Sequence, residues 1–269
     1  RMLSDKSLDM PFCLCWANEN WSRRWDGSET SILMAQDYGD KQGWQDHFEY
    51  LLNFFNDERY LKDEQGRPIL LQLITTLDEM LSCWRDLAQK AGLPGICFVC
   101  QYPQYGSEIE DKFDHYVEFE PAATTGIPGS NFLKAWEISP KYAVEVGLTK
   151  ILQVTRIRSY KKYSYKDTVA ASIKRPIRNS KEWVGAFPGW DNTPRRGENA
   201  ILYDGSTPAL FEKYVEAQLK KSKAAGQEGV LFINAWNEWA EGAHLEPDEK
   251  YKMKYLEALK NAREKANNE

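Results

Sequence analysis

Two glutamates, Glu238 and Glu241, stand three positions apart in WNEWAEG (236–242), which follows the apolar run GVLFINA (229–235). A carboxylate beside apolar surface is costly unless it is solvated, paired with a cation or used in catalysis. Two carboxylates that flank one glycosidic bond are the usual equipment for breaking it, because one acts as acid and the other as base or nucleophile. We predict that a bend after the apolar run brings both side chains to one point, and that Glu238 and Glu241 are catalytic.

The side chains around these glutamates suit a carbohydrate. An indole packs against the apolar face of a sugar ring, while amide and carboxylate groups bond to sugar hydroxyls. The substrate-binding candidates in this segment are Trp236, Asn237, Trp239, His244 and Glu246. We expect His244 to position substrate rather than to transfer protons, and Glu246 to hold the loop by salt bridges. The competing interpretation is structural, with both glutamates paired to Arg or Lys and both tryptophans in the core.

Two other polar clusters follow predicted strands earlier in the chain. In WANENWSRRWDG (16–27) the candidates for lining a sugar site are Trp16, Asn18, Glu19 and Trp21. The alternative is a charged loop whose arginines offset its carboxylates. In VEFEP (117–121), Glu118 either lines the same pocket or forms an ion pair.

A further cluster, FPGWDNTPRRG (187–197), supplies three more sugar-binding candidates, Trp190, Asp191 and Asn192. Proline and glycine at its start shape a turn. The two arginines, Arg195 and Arg196, either bind a phosphate of a glycosyl donor or form a solvated face, and the solvated face is the favoured interpretation.

Strand and helix patterns alternate along the chain. The predicted strands are 12–17, 69–74, 95–102, 116–119, 183–190 (ending in a loop) and 229–236, and the predicted helices are 41–56, 77–91, 166–174, 208–225 and 249–265. A repeated strand-helix order implies parallel strands with right-handed crossovers. No glycine-rich phosphate loop follows a strand, which disfavours a nucleotide-binding sheet.

The position of the polar clusters distinguishes between α/β architectures. Each cluster follows the carboxyl end of a predicted strand, where the loops of a (β/α)8 barrel converge on one face. We therefore predict a TIM-like (β/α)8 barrel that forms a single domain over 1–269. About six units can be counted where eight are needed, so we expect the barrel to be incomplete, with its first two β/α units missing.

Composition excludes several classes of protein. Hydrophobic residues make up 42% and charged residues 28% of the 269 residues, with a net charge of -5, as in ordinary soluble proteins. We expect neither a nucleic-acid partner nor a transmembrane segment. Five cysteines without framework spacing indicate free thiols in a reducing compartment, hence the cytoplasm. Three scattered histidines give little support to a metal site.

Three of these motifs, in this order, resemble one known family. WANENWSRRWDG, FPGWDNTPRRG and FINAWNEWAEGAHLEPD are similar to segments of the WbsX-like glycosyltransferases of bacterial surface-polysaccharide loci, which are related to glycoside hydrolase family 99. The resemblance extends over essentially the whole chain. It implies a (β/α)8 barrel, although the Y-x-P-Q-F-H-like segment with which the family begins is not present before Arg1.

The resemblance also implies a mechanism and a substrate class. Glu238 would be the base that takes the proton of a sugar 2-hydroxyl, and Glu241 the acid that protonates the leaving oxygen, with no metal or cofactor. The expected partners are an oligosaccharide or polysaccharide and a sugar-nucleotide or lipid-linked donor, in lipopolysaccharide O-antigen or capsule metabolism. Two alternatives stay open: an endo-acting retaining hydrolase of α-mannan-like glycans, and a noncatalytic carbohydrate-binding remnant.

Overall fold

The structure is a computed structural model that describes residues 2–23, 28–72, 78–101, 112–125, 136, 140–155, 160–197, 200–227 and 229–268. The chain divides into two compact units. The first unit comprises Arg1–Ser22 and Thr30–Val117, and the second comprises Arg23–Glu29 and Glu118–Glu269. The expectation of one domain over 1–269 stays a prediction.

Strands and helices alternate along the described residues. The strands are β1 (Leu14–Trp16), β2 (Trp21–Arg23), β3 (Ser28–Met34), β4 (Ile69–Gln72), β5 (Cys97–Cys100), β6 (His115–Val117), β7 (Lys161–Ser164), β8 (Glu182–Ala186), β9 (Trp190–Asp191), β10 (Ile201–Asp204), β11 (Leu231–Ile233), β12 (Asn237–Glu238) and β13 (Ala243–His244). The helices are α1 (Lys41–Phe55), α2 (Asp78–Lys90), α3 (Ala122–Thr125), α4 (Pro140–Val154), α5 (Tyr165–Lys174), α6 (Thr193–Arg196), α7 (Pro208–Ala224) and α8 (Lys254–Asn267). A 3-10 helix spans Trp239–Glu241.

The first unit contains a parallel sheet in the order β1-β4-β5-β6. Apolar side chains at helical spacing place one face of α1 in the core, where Trp44, Phe48 and Phe55 are buried. The predictions of a helix over 41–56 and of strands at 12–17, 69–74 and 95–102 are confirmed, although the first strand is shorter than predicted and the third begins at Cys97. The ends of the last two predictions, at 73–74 and 102, lie outside the described residues.

The second unit contains β8 and β11 as a parallel pair, with Leu231 opposite Val184. The backbone N–H of Glu118 donates to the carbonyl of Trp183, so the chain after β6 also runs beside β8. A separate sheet has the order β7-β10-β9, in which β9 is antiparallel to β10. Helix α7 begins as predicted, with the Thr207 side chain capping it and proline at its first turn.

The fold class is therefore α/β with parallel strands, and this part of the prediction is confirmed. Closure into an eight-stranded barrel and the absence of its first two units stay predictions. All five cysteines are free thiols, and burial raises the pKa of the Cys97 thiol to about 12. No helix within the described ranges is long and apolar enough to span a bilayer.

Candidate active site

The candidate catalytic segment follows the carboxyl end of β11, which pairs in parallel with β8 in the second unit. Just past the strand, the backbone N–H of Asn234 donates to the carbonyl of Ala186, at the end of β8. The Asn234 side-chain amide donates to the carbonyl of Glu120 at 2.9 Å, and the peptide bond to Ala235 is cis. The two hydrogen bonds of Asn234 anchor the chain just before WNEWAEG.

The chain then folds into a tight hairpin, residues 236–246. Strands β12 and β13 pair antiparallel, with Asn237 opposite His244, and the 3-10 helix lies between them. The carbonyl of Trp236 accepts the backbone N–H groups of Leu245 and Glu246, which closes the base of the hairpin. The predicted strand over 229–236 thus ends at Ile233, and the bend predicted after it is confirmed.

Gly242 lets this hairpin pack closely against the loop that follows β8. Its φ of 61° lies in the left-handed region, and a Cβ there would stand 3.0 Å from the backbone nitrogen of Asp191. Helix α6, in that loop, packs against the 3-10 helix. The structure therefore brings together two of the motifs singled out in the sequence, WNEWAEG and FPGWDNTPRRG.

Glu241 is half-buried in this hairpin and forms an ion pair with Arg195, whose Nη1 lies 3.2 Å from its Oε1. Burial raises the pKa of Glu241, because it penalises the charged form; Arg195 opposes this shift, and the charge of Glu238 adds to it. The two carboxyl groups therefore lie near enough to interact electrostatically.

The sequence favours a solvated face for Arg195, whereas in the structure this arginine is half-buried and paired with Glu241. The arginine is on α6, in the loop that follows β8, whereas Glu241 is on the hairpin that follows β11. The pair exists because parallel neighbouring strands place their following loops at the same edge. The signal in the sequence for this ion pair was the position of Arg195 in FPGWDNTPRRG, a cluster that was predicted to reach the same pocket as the glutamates.

The two tryptophans of the hairpin are not core residues. Trp236 and Trp239 are 53% and 50% exposed, so the part of the competing interpretation that places them in the core is wrong. Its other part, pairing of the glutamates with Arg or Lys, holds for Glu241. Trp239 stacks on His244, with ring centroids 3.7 Å apart and planes at 18°, and its indole N–H donates to Glu246 at 2.6 Å. The indole is thus held in place while half of its surface stays open, as a sugar platform requires.

His244 and Glu246 have positioning contacts in this cluster. The Nε2 of His244 lies 3.4 Å from a carboxylate oxygen of Asp248, and Glu246 accepts the indole N–H of Trp239. These contacts agree with a positioning role for His244. Asn237 is exposed beside them. Direct contact of any of these residues with a substrate stays a prediction.

The loop after β8 is shaped by the polar residues predicted there. Asn192 is buried, and its side-chain oxygen accepts the backbone N–H of Ile201 at 2.7 Å. Asp191 accepts both the backbone N–H and the hydroxyl of Thr193. Trp190 lies on β9 opposite Tyr203 of β10. These contacts assign Asp191 and Asn192 a structural role in the loop, and their binding to a sugar stays a prediction.

Glu118 forms a buried ion pair in the second unit. Its Oε1 lies 2.7 Å from Nη2 of Arg175, and the same nitrogen lies 2.9 Å from Oε1 of Glu120. Burial raises the pKa of Glu120, Arg175 lowers it, and the charge of Glu118 raises it. Of the two roles left open for Glu118, the structure shows the ion pair.

The candidates from the motif at 16–27 belong to the first unit. Trp16 meets Tyr38 and His47 edge-on, and the three residues line a cleft of about 270 Å³. Asn18 is buried, and its backbone carbonyl accepts the Tyr38 hydroxyl at 2.7 Å. Glu19 is half-buried and Trp21 is 62% exposed. Their participation in a common pocket with the glutamates stays a prediction.

No group of three or more His, Cys, Asp or Glu side chains suited to a metal ion is present in the parts of the chain that the structure describes. The hairpin presents two neighbouring carboxyl groups and two partly exposed indoles, and the loop after β8 adds the guanidinium of Arg195.

Comparison with known proteins identifies relatives of this chain. Residues 1–259 match the family described as Glycosyltransferase WbsX. The uncharacterized proteins WxcX of two strains of Xanthomonas campestris pv. campestris, B100 and ATCC 33913, are each 30% identical over 269 residues. That match covers 96% of this chain and 35% of either relative, so the chain spans about a third of their length.

Two solved structures are also similar to the chain. One is described as a glycoside hydrolase-like protein, with 12% identity and a TM-score of 0.48 over 82% of this chain and 61% of that one. The other is the GH99 endo-alpha-mannosidase from Bacteroides thetaiotaomicron in complex with Bis-Tris propane. It has 14% identity and a TM-score of 0.46 over 96% of this chain and 80% of that one.

Proposed function

Because this chain belongs to the WbsX glycosyltransferase family, we propose that it is a glycan-active enzyme that transfers or cleaves glycosyl units with Glu238 and Glu241. The observation that carries this proposal is the setting of Glu241, a half-buried carboxyl with a raised pKa beside a second carboxyl and an arginine. General-acid catalysis by a carboxyl group needs a pKa raised from its ordinary value toward the working pH.

The two carboxyl groups have different roles in the proposed reaction. Glu238 is half-buried. In the proposed reaction its carboxylate takes the proton of the sugar 2-hydroxyl. The freed oxygen attacks C1 and forms a 1,2-anhydro ring while the bond from C1 to the leaving oxygen breaks. Glu241 gives its proton to that leaving oxygen.

The second step returns both groups to their starting states. Glu241, now a carboxylate, takes a proton from the incoming hydroxyl, whose oxygen attacks C1 and opens the three-membered ring. Glu238 gives its proton back to the sugar 2-oxygen. Two successive inversions at C1 retain the anomeric configuration, and no proton or electron pair is left over.

Arg195 and the indoles support this chemistry. The charge of Arg195 opposes the effect of burial on the pKa of Glu241. It thereby limits the rise of this pKa, so that Glu241 can still give up its proton to the leaving oxygen. The half-exposed Trp236 and Trp239 offer stacking surfaces next to the carboxyl pair. We infer a saccharide of a bacterial surface polysaccharide as substrate, with a sugar-nucleotide or lipid-linked donor when the reaction is transfer.

Transfer and hydrolysis differ only in whether a sugar hydroxyl or water takes the acceptor position. The free thiols fit a reducing compartment, where biosynthetic transfer takes place, and this favours transfer over the endo-acting hydrolase of α-mannan-like glycans. Reaction of surface-polysaccharide fragments in ¹⁸O-labelled water separates the two activities, since only hydrolysis incorporates the label.

The catalytic assignment is tested with Glu238→Gln and Glu241→Gln, using Glu257→Gln on the exposed face of α8 as the matched control. Loss of acid–base catalysis lowers turnover by about 10²–10⁴-fold. An aryl glycoside, whose leaving group needs no proton, restores the first step in Glu241→Gln and not in Glu238→Gln. Full turnover by both variants contradicts the assignment, and glycan binding without turnover in the parent chain identifies a noncatalytic remnant.

A further inference from the structure

A concave surface lies beside the hairpin in the second unit. This cleft, of about 370 Å³, opens between β9, the end of β10 and the segment before α8. Its lining includes Trp190, Tyr203, Asp204, His244, Tyr251 and Tyr255. Its volume falls in the range of small-ligand sites. We call it the β10 cleft.

The β10 cleft adjoins the candidate active site without containing its carboxyl pair. Gly242 and His244 line the cleft, so the hairpin that carries the glutamates forms one of its walls. Glu238 and Glu241 do not line it. A ligand in the cleft would therefore lie next to the reacting groups and would not be the group that reacts.

Two polar atoms in the walls of the cleft lack a hydrogen-bond partner. Within the described residues, the indole nitrogen of Trp190 and Nδ1 of His244 are buried and make no hydrogen bond. A buried polar atom left unpaired costs free energy, and native proteins leave few of them. Both residues line the cleft, so a hydroxyl-rich ligand there would lie beside two side chains that each carry an unpaired polar atom.

The charges at the cleft select against anions. The carboxylate of Asp204 pairs with Lys162 at 2.6 Å, and that of Asp248 lies 3.4 Å from His244. Lys250 stands over the ring of Tyr251, with its Nζ 4.6 Å from the ring centroid. Because carboxylates outnumber the single lysine among the lining residues, a phosphate or other anion is disfavoured.

The remaining surface is aromatic. Tyr251 and Tyr255 meet edge-on with centroids 5.4 Å apart, and Tyr203 lies opposite Trp190 on the neighbouring strand. Aromatic rings together with polar groups that both donate and accept hydrogen bonds suit a neutral sugar, which has apolar ring faces and a rim of hydroxyls.

We propose that the β10 cleft binds one neutral sugar residue of the glycan, adjacent to the residue that reacts at Glu238 and Glu241. This inference rests on the proposed function, because it takes the reacting molecule to be a glycan. It assigns ligand contacts to Tyr203, Asp204 and Tyr251, which no motif in the sequence had indicated.

The experiment follows the indole N–H signal of Trp190 by two-dimensional NMR, with Trp190→Phe to assign the signal. The probes are the methyl glycosides of mannose, glucose, galactose and rhamnose, titrated separately. We expect the signal to shift in a saturable way with at least one glycoside. Tyr251→Ala and Asp204→Asn weaken that binding about tenfold or more, whereas the exposed first-unit variant Tyr50→Ala does not change it.

The outcomes separate this proposal from the proposed function. Glu238→Gln keeps the shift of the Trp190 signal, because Glu238 does not line the cleft. The proposal is overturned if no glycoside moves the signal, or if Tyr50→Ala weakens binding as much as Asp204→Asn, with thermal unfolding monitored for every variant. Retained turnover in the glutamate variants defeats the catalytic assignment alone and leaves the NMR result standing.

Discussion

The guanidinium of Arg195 reaches across from the loop after β8 to the carboxyl group of Glu241 after β11, with Nη1 and Oε1 3.2 Å apart. The pair is partly exposed, at 30% and 21% of the two side chains, so its direct contribution to stability is small. Its importance lies in the pKa of Glu241, which burial raises and Arg195 lowers.

Replacing Arg195 should move the alkaline limb of the pH–rate profile. Glu241 must start protonated to act as the acid, so kcat/KM falls as the pH rises through its pKa. Arg195→Met removes a positive charge that lowers this pKa, and we therefore expect the limb to shift to higher pH. The profile of kcat/KM for the parent and the variant measures the shift. Arg263→Met, on the exposed face of α8, should leave the limb in place, and a shift of Arg195→Met to lower pH would contradict the role of Glu241 as acid.

The half-exposed indoles are expected to act on binding more than on chemistry. We expect Trp236→Ala and Trp239→Ala each to raise KM about twofold to tenfold with little change in kcat, since an aromatic contact is worth about 0.5–1.5 kcal/mol. Trp239→Phe keeps a ring but loses the N–H that bonds to Glu246 at 2.6 Å, so its effect should be intermediate. Steady-state kinetics provide the measurement. Equal KM values for parent and both alanine variants would show that the indoles do not bind substrate.

Arg175 should be required for folding stability. Its guanidinium pairs with two buried carboxylates, Glu118 and Glu120, whose side chains are 3% and 0% exposed. Removing one partner of a buried ion pair typically costs about 3–5 kcal/mol, and we expect a loss of that size in the free energy of unfolding of Arg175→Met. Urea denaturation measures it, and Arg263→Met should change the value by less than about 0.5 kcal/mol.

The loss in Arg175→Met should become smaller at low pH. Burial and the charge of Glu118 raise the pKa of Glu120, and without Arg175 nothing from that arginine opposes the shift, so the folded state binds a proton there more tightly than the unfolded chain does. The stability of the variant then rises as the pH falls through the raised pKa of Glu120, opposite to an ordinary paired carboxylate. A loss independent of pH would mean that the network is not held by charge.

Local patterns in the sequence were sufficient to predict the helices in which burial or capping follows a regular pattern. Helix α1 has Trp44, Phe48 and Phe55 on one face, and α7 has a threonine cap followed by proline, so both could be predicted. Helix α4 could not, because three of its large apolar residues, Val144, Leu148 and Ile151, are exposed, so the apolar pattern does not follow burial. The strands β9 and β10 pair through Trp190 and Tyr203, and neither short run is periodic enough to be recognised alone.

The candidate site divides in the same way. The clustering of Glu238, Glu241 and two tryptophans was visible in seven consecutive residues. The ion pair between Arg195 and Glu241 joins residues 46 positions apart, and it depends on β8 and β11 being neighbours in the sheet. The β10 cleft likewise takes its walls from three separate segments, so no single motif could have indicated it.

Gly242 provides a test of how strictly the hairpin must be placed. Gly242→Ala forces an alanine into the left-handed region at φ 61°, which costs roughly 1–2 kcal/mol. The new Cβ would also meet the backbone of Asp191, at 3.0 Å from its nitrogen and 3.1 Å from its oxygen. The hairpin has to move away from that loop, which displaces Glu241 from Arg195. We therefore expect turnover to fall by more than the fraction of unfolded protein explains.

The matched control is Gly92→Ala. Gly92 has a φ of 79°, and no atom lies within 4 Å of its hypothetical Cβ, so this variant shares the backbone cost without the crowding. Thermal unfolding and kcat/KM measured on both variants separate the two effects. We expect both variants to lose the backbone cost in free energy of unfolding, and Gly242→Ala to lose in addition the cost of the contact with Asp191. Turnover should fall in Gly242→Ala alone. If both variants keep the parent's turnover, close packing of the hairpin against Asp191 is not needed for catalysis.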